Sequence, residues 1–405
     1  MNHISNSKVL LHEAKNEIYT WATNDLTCLL AKEVMSIGLA KIKFFYRSLG
    51  EDPFNVITIF GPDGGITRNK ERFNEGVGYG CLVATKDFIF PSLLHPNGCG
   101  YGLYKIHNLP PLKDIMLKID KVKKNGIPIG SQKGNWDVWK SNHFIDLLYL
   151  DDLYSNDQKI RSWLTPGNYV LIHSSQQTQK ERLSNWSQND FISFESPFGT
   201  VKGLPKERTS EYFSFFQEME YFSKNKRTSI ARALFGDENV EIISNPTHQG
   251  YFKENGFNVM RLGLSNSLDQ SGDKNFRLFP LGFNGYSFIY LYEGLGNIKK
   301  NHWTIRQLER AQNCGHEKFI QNANILPHGG GYKLLYPYIE VEKLFFNNNI
   351  FFKLSNAPMK SCLIIQDIEA LEYGYRGSGE ILPMIERLEL GKKIARFTPE
   401  VVIKL

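Results

Sequence analysis

A chain of 405 residues, 41% apolar and 22% charged, can bury a large core and has the composition of a soluble globular protein. It lacks any run near the roughly 18 uninterrupted apolar residues of a membrane span. A formal charge of +6 and a pI near 8.8 tolerate a nucleic-acid or phosphate-rich partner without requiring one.

The opening stretch MNHISNSKVLLHEAKNE returns to charge too soon for a secretory signal, and a cytoplasmic chain is expected. Residues 24–37 read as a helix capped by Asn24 or Asp25 and stopped by Gly38. Apolar runs at 56–60, 144–150, 169–173, 286–292, 362–366 and 401–403 read as strands, some buried on both faces. The polar segment 174–192 is the best candidate for an exposed loop. Residues 210–235 carry Tyr212, Phe215, Met219 and Phe222 at helical spacing. A further helix starts at Thr304, where Gln307 completes a capping box, and another covers about 379–392. The asparagine-rich FFNNNIFF, 345–352, has apolar flanks and belongs to a folded region. No internal repeat is visible. Helices and strands mix without regular alternation, which predicts an α+β fold: one large domain over 1–405, with mixed sheets flanked by helices.

Five widely scattered cysteines argue against a disulfide framework and for reduced thiols. Four of the ten histidines sit where strands end or turns begin: His143 in SNHFIDL, His173 in VLIHSS, His248 in NPTHQG and His328 in HGGGY. Neighbouring strand ends form one rim, so such histidines can converge on a metal ion. Taken singly, each is an ordinary core or turn histidine. Cys99, between two glycines in HPNGCGYG, could bring a thiolate to the same rim or be a small buried thiol in a tight turn. The glycines at 329–331 permit positive φ and close approach of backbone N–H groups to an anion. HGGG also resembles the oxyanion loop of some hydrolases, but the chain has no G-x-S-x-G nucleophile elbow. A G-x-x-x-x-G-K-[ST] phosphate loop and an H-E-x-x-H zinc helix are likewise missing.

In order along the chain, these segments resemble the RtcB family of RNA-splicing ligases. SNHFIDL is similar to its G-N-H-F-x-E, VLIHSS to I-H-S-G-S-R-G, and NPTHQ to an A-H-N turn. FPLGFNGYSF is similar to P-G-S-M-G-T-A-S-Y, HGGGY to H-G-A-G-R, and EVVIKL to the closing V-I-K-G. The helix at 210–235, with NKR at 225–227, resembles a long helix of that family ending in N-R. The resemblance implies a ligase that joins RNA 3′-phosphate or 2′,3′-cyclic phosphate ends to 5′-hydroxyl ends. Its cofactors would be GTP and two manganese ions, its partners RNA with broken ends, its oligomeric state a monomer. It implies His328 as the nucleophile that takes up GMP and Cys99, His143, His173 and His248 as metal ligands. Asn142, Asp146, Ser287, Gly329, Gly330, Tyr375 and Lys404 would contact the nucleotide. Ligand softness alone would favour zinc for a thiolate with histidines.

The sequence also departs from that pattern. The family's aspartate three residues before its cysteine falls on Pro96, or on Asn97 with one deletion, and His95 is a conceivable substitute. A shifted register would put Gly102 and Lys105 at the aspartate and cysteine positions. Leu262 stands for a lysine, and Gln177 and Tyr332 stand for arginines. Each lost cation removes about 1.5–3 kcal/mol of charged hydrogen bonding to phosphate. The same departures suit a relative that binds RNA ends or nucleotide without ligating them.

Overall fold

The apolar runs at 56–60, 144–150 and 169–173 become neighbouring or central strands of two sheets. The computed structural model describes residues 2–136, 143–175, 186, 190–270, 272, 276–346, 349–356 and 361–404, without the side chains of 2–6. One sheet has seven antiparallel strands in the order Val240–Ser244, Gly100–Ile106, Asn168–Ser174, Phe144–Leu153, Gly391–Ile403, Ile289–Gly294 and Leu278–Leu281. The other has five, in the order Ile18–Thr20, Val56–Gly65, Tyr79–Thr85, Phe257–Leu262 and Gln249–Glu254, with only the first pair parallel. The fold is α+β, as expected.

Alternation along the strands sends side chains to two covered faces. In the five-stranded sheet, Val56, Phe60, Cys81 and Val83 pack under the helix Leu26–Ser48, whereas Ile57, Ile59, Leu82 and Ala84 pack against Leu264, Ile325, Ile381 and Ile385. In the seven-stranded sheet, Tyr104, Ile145, Leu147 and Ile172 meet Ile230, Ala231 and Leu234 of the helix Lys206–Phe235. Leu103, Leu148, Leu150 and Leu171 face the opposite core with Trp163 and Phe397. Residues on both sides of 347–348 pair as a hairpin with Phe346 opposite Asn349, so the asparagine-rich stretch is folded where it is described. Most of the polar segment 174–192 lies outside the described residues.

Several helix ends follow the sequence. Asp25 caps Leu26–Ser48 through the Cys28 N–H, and Thr304 and Gln307 form the capping box of Ile305–Asn313. Two ends differ. The helix that starts at Leu26 continues through Gly38 to Ser48, because Gly38 is where its backbone meets the backbone of Gly76. A Cβ on Gly38 would collide with the Gly76 carbonyl oxygen. That glycine serves a close approach rather than a stop. The helix expected over 379–392 ends at Arg387; Glu389 at φ +53 turns the chain into the strand Gly391–Ile403. Gly38→Ala is expected to destabilise the protein by about 1–3 kcal/mol through overpacking, a loss of Tm that thermal denaturation would measure.

Candidate functional site

The rim anticipated from strand ends exists and is built from both sheets. Cys99 directly precedes Gly100–Ile106, His143 directly precedes Phe144–Leu153, and His173 lies near the end of Asn168–Ser174. The register sets both Tyr101 and Phe144 opposite His173, so three adjacent strands present these residues at one end. His248 comes from the five-stranded sheet, just before Gln249–Glu254. Main-chain hydrogen bonds join the two sources. The His248 N–H donates to the Cys99 carbonyl at 3.0 Å, the Gly263 N–H to the His248 carbonyl at 2.8 Å, and the His328 N–H to the Gly263 carbonyl at 3.1 Å.

Cys99 Sγ lies 3.1 Å from His173 Nε2 and 3.7 Å from His143 Nε2. The ligand atoms of Cys99, His173 and His248 all fall within 4.8 Å of one another, and all three residues are buried. Among the described residues, neither ring nitrogen of His248 has a hydrogen-bond partner. A fully buried imidazole with two orphaned nitrogens is costly unless something else binds it. Burial, then the neighbouring His328, His173, Arg227 and His143, hold its pKa well below the usual histidine value, so the ring is neutral with a lone pair to donate. A thiolate and imidazoles at this spacing could hold a metal ion.

His328 is oriented from behind. Its Nδ1 lies 3.1 Å from Asp63 Oδ2 and 2.9 Å from the Gly263 carbonyl oxygen. Both partners are acceptors, so Nδ1 carries the proton and the lone pair sits on Nε2. The ring is 4.5 Å, centroid to centroid, from that of His248, and Tyr79 meets it edge-on at 5.4 Å. Asp63 is fully buried, and burial pushes its carboxyl up against the opposing pull of His328 and Arg376. Arg376 fixes the Asp63 segment by donating to the Asp63 and Gly64 carbonyls at 3.0 and 3.1 Å, while Asp25 pairs with its guanidinium.

The three glycines after His328 are explained mainly by packing. A Cβ on Gly329 would strike the Gly282 carbonyl, and one on Gly330 the Arg376 carbonyl. Only Gly331 has positive φ, +65°, with the Asp63 carbonyl oxygen 2.6 Å from where its Cβ would lie. The expectation of positive φ therefore holds for one glycine of the three. Gly330 and Gly331 also line the cavity described next.

That cavity, of about 380 Å³, is in the size range of small-ligand sites. Cys99, His143, His173 and His328 line it together with Asp146, Gly330, Tyr375 and Lys404. Asp146 is almost fully buried, and one of its carboxylate oxygens has no hydrogen-bond partner among the described residues. Burial pushes its pKa up to about 7, with Lys404 pulling the other way. Ser287 does not line the cavity; it sits in the turn after Asn284 and Gly285, which do. Gly329 lies beneath, bridged to Gly282. Asn142 and Gln177 fall outside the described residues.

The departures from the family pattern also find places. Asn97 lines the cavity, but its Oδ1 accepts the Cys99 N–H at 3.0 Å. His95 does not line the cavity and is held at φ +47 as a helix C-cap. Lys105 donates to Thr165 at 2.7 Å, and it is Cys99 that meets the histidines, as the unshifted register has it. Leu262 is buried in the apolar core under the helix Leu26–Ser48. Tyr332 lines the cavity opposite Tyr375. Two contributors went unread in the sequence, Asp63 and Arg72. Asp63 stands in GPDGG, an acid in a glycine-rich stretch near a strand end, much as Cys99 stands beside glycines at the start of another strand. Arg72 is buried and donates to the Leu94 and His95 carbonyls, holding the approach to Cys99. Lys226 and Arg227, deep in the long helix, donate to the Ser175 and Ser174 carbonyls just after His173.

Two measurements follow. Titration with cobalt(II) is expected to give a thiolate-to-metal charge-transfer band, lost in Cys99→Ser and strongly weakened in His248→Ala. The folded chain keeps the Asp146 proton up to about pH 7, the unfolded chain only to the ordinary 3.8. Folded protein binds more protons between those values, so stability falls as pH rises through that window. Asp146→Asn should therefore be more stable than the parent by about 2–4 kcal/mol at pH 8. The two proteins should be equal at pH 3, and urea denaturation at both pH values reads the difference.

No protein-family model matches the chain and no curated protein matches its sequence, so any assignment of chemistry rests on the residues of this cavity.

Proposed function

We propose that this protein is an RtcB-like RNA ligase that joins RNA 3′-phosphate or 2′,3′-cyclic phosphate ends to 5′-hydroxyl ends, using GTP and manganese. The observation that carries the reading is the pairing of His328 with its surroundings. The His328 ring donates from Nδ1 to Asp63 Oδ2 and the Gly263 carbonyl, which leaves Nε2 as its nucleophilic nitrogen beside the Cys99–His173–His248 group. The same cavity holds Asp146, Tyr375 and Lys404, three of the residues that the resemblance assigns to the nucleotide.

In this reading Nε2 of His328 attacks the α-phosphorus of GTP. A P–N bond forms, the bond to the bridging oxygen breaks, and pyrophosphate leaves. The Asp63 carboxylate stabilises the positive charge that develops on the ring. GMP then passes from His328 to the RNA 3′-phosphate, and the 5′-hydroxyl oxygen displaces it as the new phosphodiester forms. A cyclic phosphate is first opened by water to the 3′-phosphate. Divalent ions held by Cys99 and the histidines would supply charge neutralisation for the phosphates. Asp146, with its unbonded oxygen, is suited to accept an N–H from a nucleotide base.

A second reading, a relative that binds RNA ends without ligating them, is favoured by one specific feature. Position 96 is a proline with no ligand atom, and the Asn97 oxygen is already taken by the Cys99 N–H. It predicts salt-sensitive RNA binding and no turnover.

Incubation with manganese and GTP labelled at the α-phosphate separates the two. The ligase reading expects acid-labile covalent GMP on the native protein, none on His328→Ala, and a decrease on the order of 100-fold or more for Asp63→Asn. Native protein that takes up no label, or label undiminished in His328→Ala, would defeat it.

A further inference from the structure

Tyr332 lines the cavity where the resemblance expects an arginine, and the guanidinium of Arg68 lies over its ring. Residues 63–68 form one short segment that starts on the ring of His328, through Asp63, and reaches the cavity mouth at Thr67 and Arg68. The Arg68 guanidinium lies over two tyrosine rings, 5.8 Å from the centroid of Tyr332 and 5.3 Å from that of Tyr373. Arg68 is exposed and, among the described residues, makes no hydrogen bond or ion pair. Lys404 also lines the cavity, near Asp146, but the cations on the segments next to Arg68 are engaged. Lys70 pairs with Asp367 and Glu369, Lys333 with Glu380, and Arg376 with Asp25, while Arg72 is committed to main-chain carbonyls.

We propose that Arg68 is the phosphate-binding cation of this site, presented from the five-stranded sheet side in place of the arginine that position 332 lacks. This rests on the ligase reading above. A guanidinium laid on aromatic faces keeps its N–H edges free, is partly stripped of water and has few conformations to lose. Those edges fit two oxygens of one phosphate in a bidentate pair, which an ammonium cannot match. Tyr332 then changes from a loss to a support: its ring holds the cation whose charge its own position no longer provides. The ligand chemistry is a phosphoryl group with free oxygens, from either an RNA 3′-terminal phosphate or the GTP phosphates.

The test is equilibrium binding to full-length protein by fluorescence anisotropy. The probes are one labelled oligoribonucleotide ending in a 3′-phosphate, the same one ending in a 3′-hydroxyl, and a fluorescent GTP analogue. Arg68→Ala should weaken one of the two phosphate-bearing probes by about 10- to 100-fold, leave the 3′-hydroxyl RNA unchanged and keep the parent Tm. Arg68→Lys should recover part of the loss. Loss confined to the 3′-phosphate RNA assigns the phosphate to RNA, and loss confined to the GTP analogue assigns it to the nucleotide. Unchanged binding of both, or equal weakening of the 3′-hydroxyl RNA, overturns the proposal while leaving the ligase reading standing. Native protein that binds neither phosphate-bearing probe overturns the ligase reading, and this inference with it.

Discussion

Everything at the cavity depends on a run of main-chain hydrogen bonds that passes from Cys99 to His248, from His248 to Gly263 and from Gly263 to His328. Each is worth only about 0.5–1.5 kcal/mol to stability, but together they fix distances that side-chain packing alone would leave loose. They set a thiol from the seven-stranded sheet, an imidazole from the five-stranded sheet and an imidazole from a later turn in one register. The Gly263 carbonyl acts twice, accepting from both the backbone and the ring of His328. The same atom thus helps to fix both the backbone position and the orientation of that ring.

Around this line the site keeps the His248 imidazole neutral and carboxylates reluctant to ionise. Burial lowers the pKa of His248 and raises those of Asp63 and Asp146. An interior of this kind is expensive, and the flanking cations offset part of the expense. Arg376 holds the Asp63 segment, and although burial pushes Asp25 up, the Arg376 guanidinium keeps that carboxyl below the usual range. Arg227 approaches from the long helix with its own pKa lowered by burial. Such a set of groups is poised for ligands that bring charge with them, metal ions and phosphates above all. That is the physical sense in which the proposed ligation and the orphaned nitrogens of His248 belong to one account.

The resemblance in motif order picked out Cys99, His143, His173, His248 and His328, and those five do share one corner of the fold. It also drew Asp146, Tyr375 and Lys404 to the same cavity, although they lie on three different strands or their ends. Its departures were equally informative. Leu262 is a core residue and Tyr332 a cavity residue, which no comparison of residue types could distinguish, because both are apolar or aromatic at a strand position.

Local chemistry settled the elements: continuous apolar runs made the central strands, Asp25 and Thr304 capped their helices, and the apolar stripe of 210–235 made the long helix. Those are properties of neighbours in the chain, and a sequence carries them directly. Tertiary structure alone decided that Gly38 continues a helix, since the reason is the Gly76 backbone across the core. It alone decided that Gly329 and Gly330 pack against carbonyls, that Asp63 orients His328, and that Arg68 lies over Tyr332. Each of these depends on residues tens to hundreds of positions apart, brought together by sheet register, and no local pattern encodes such a distance.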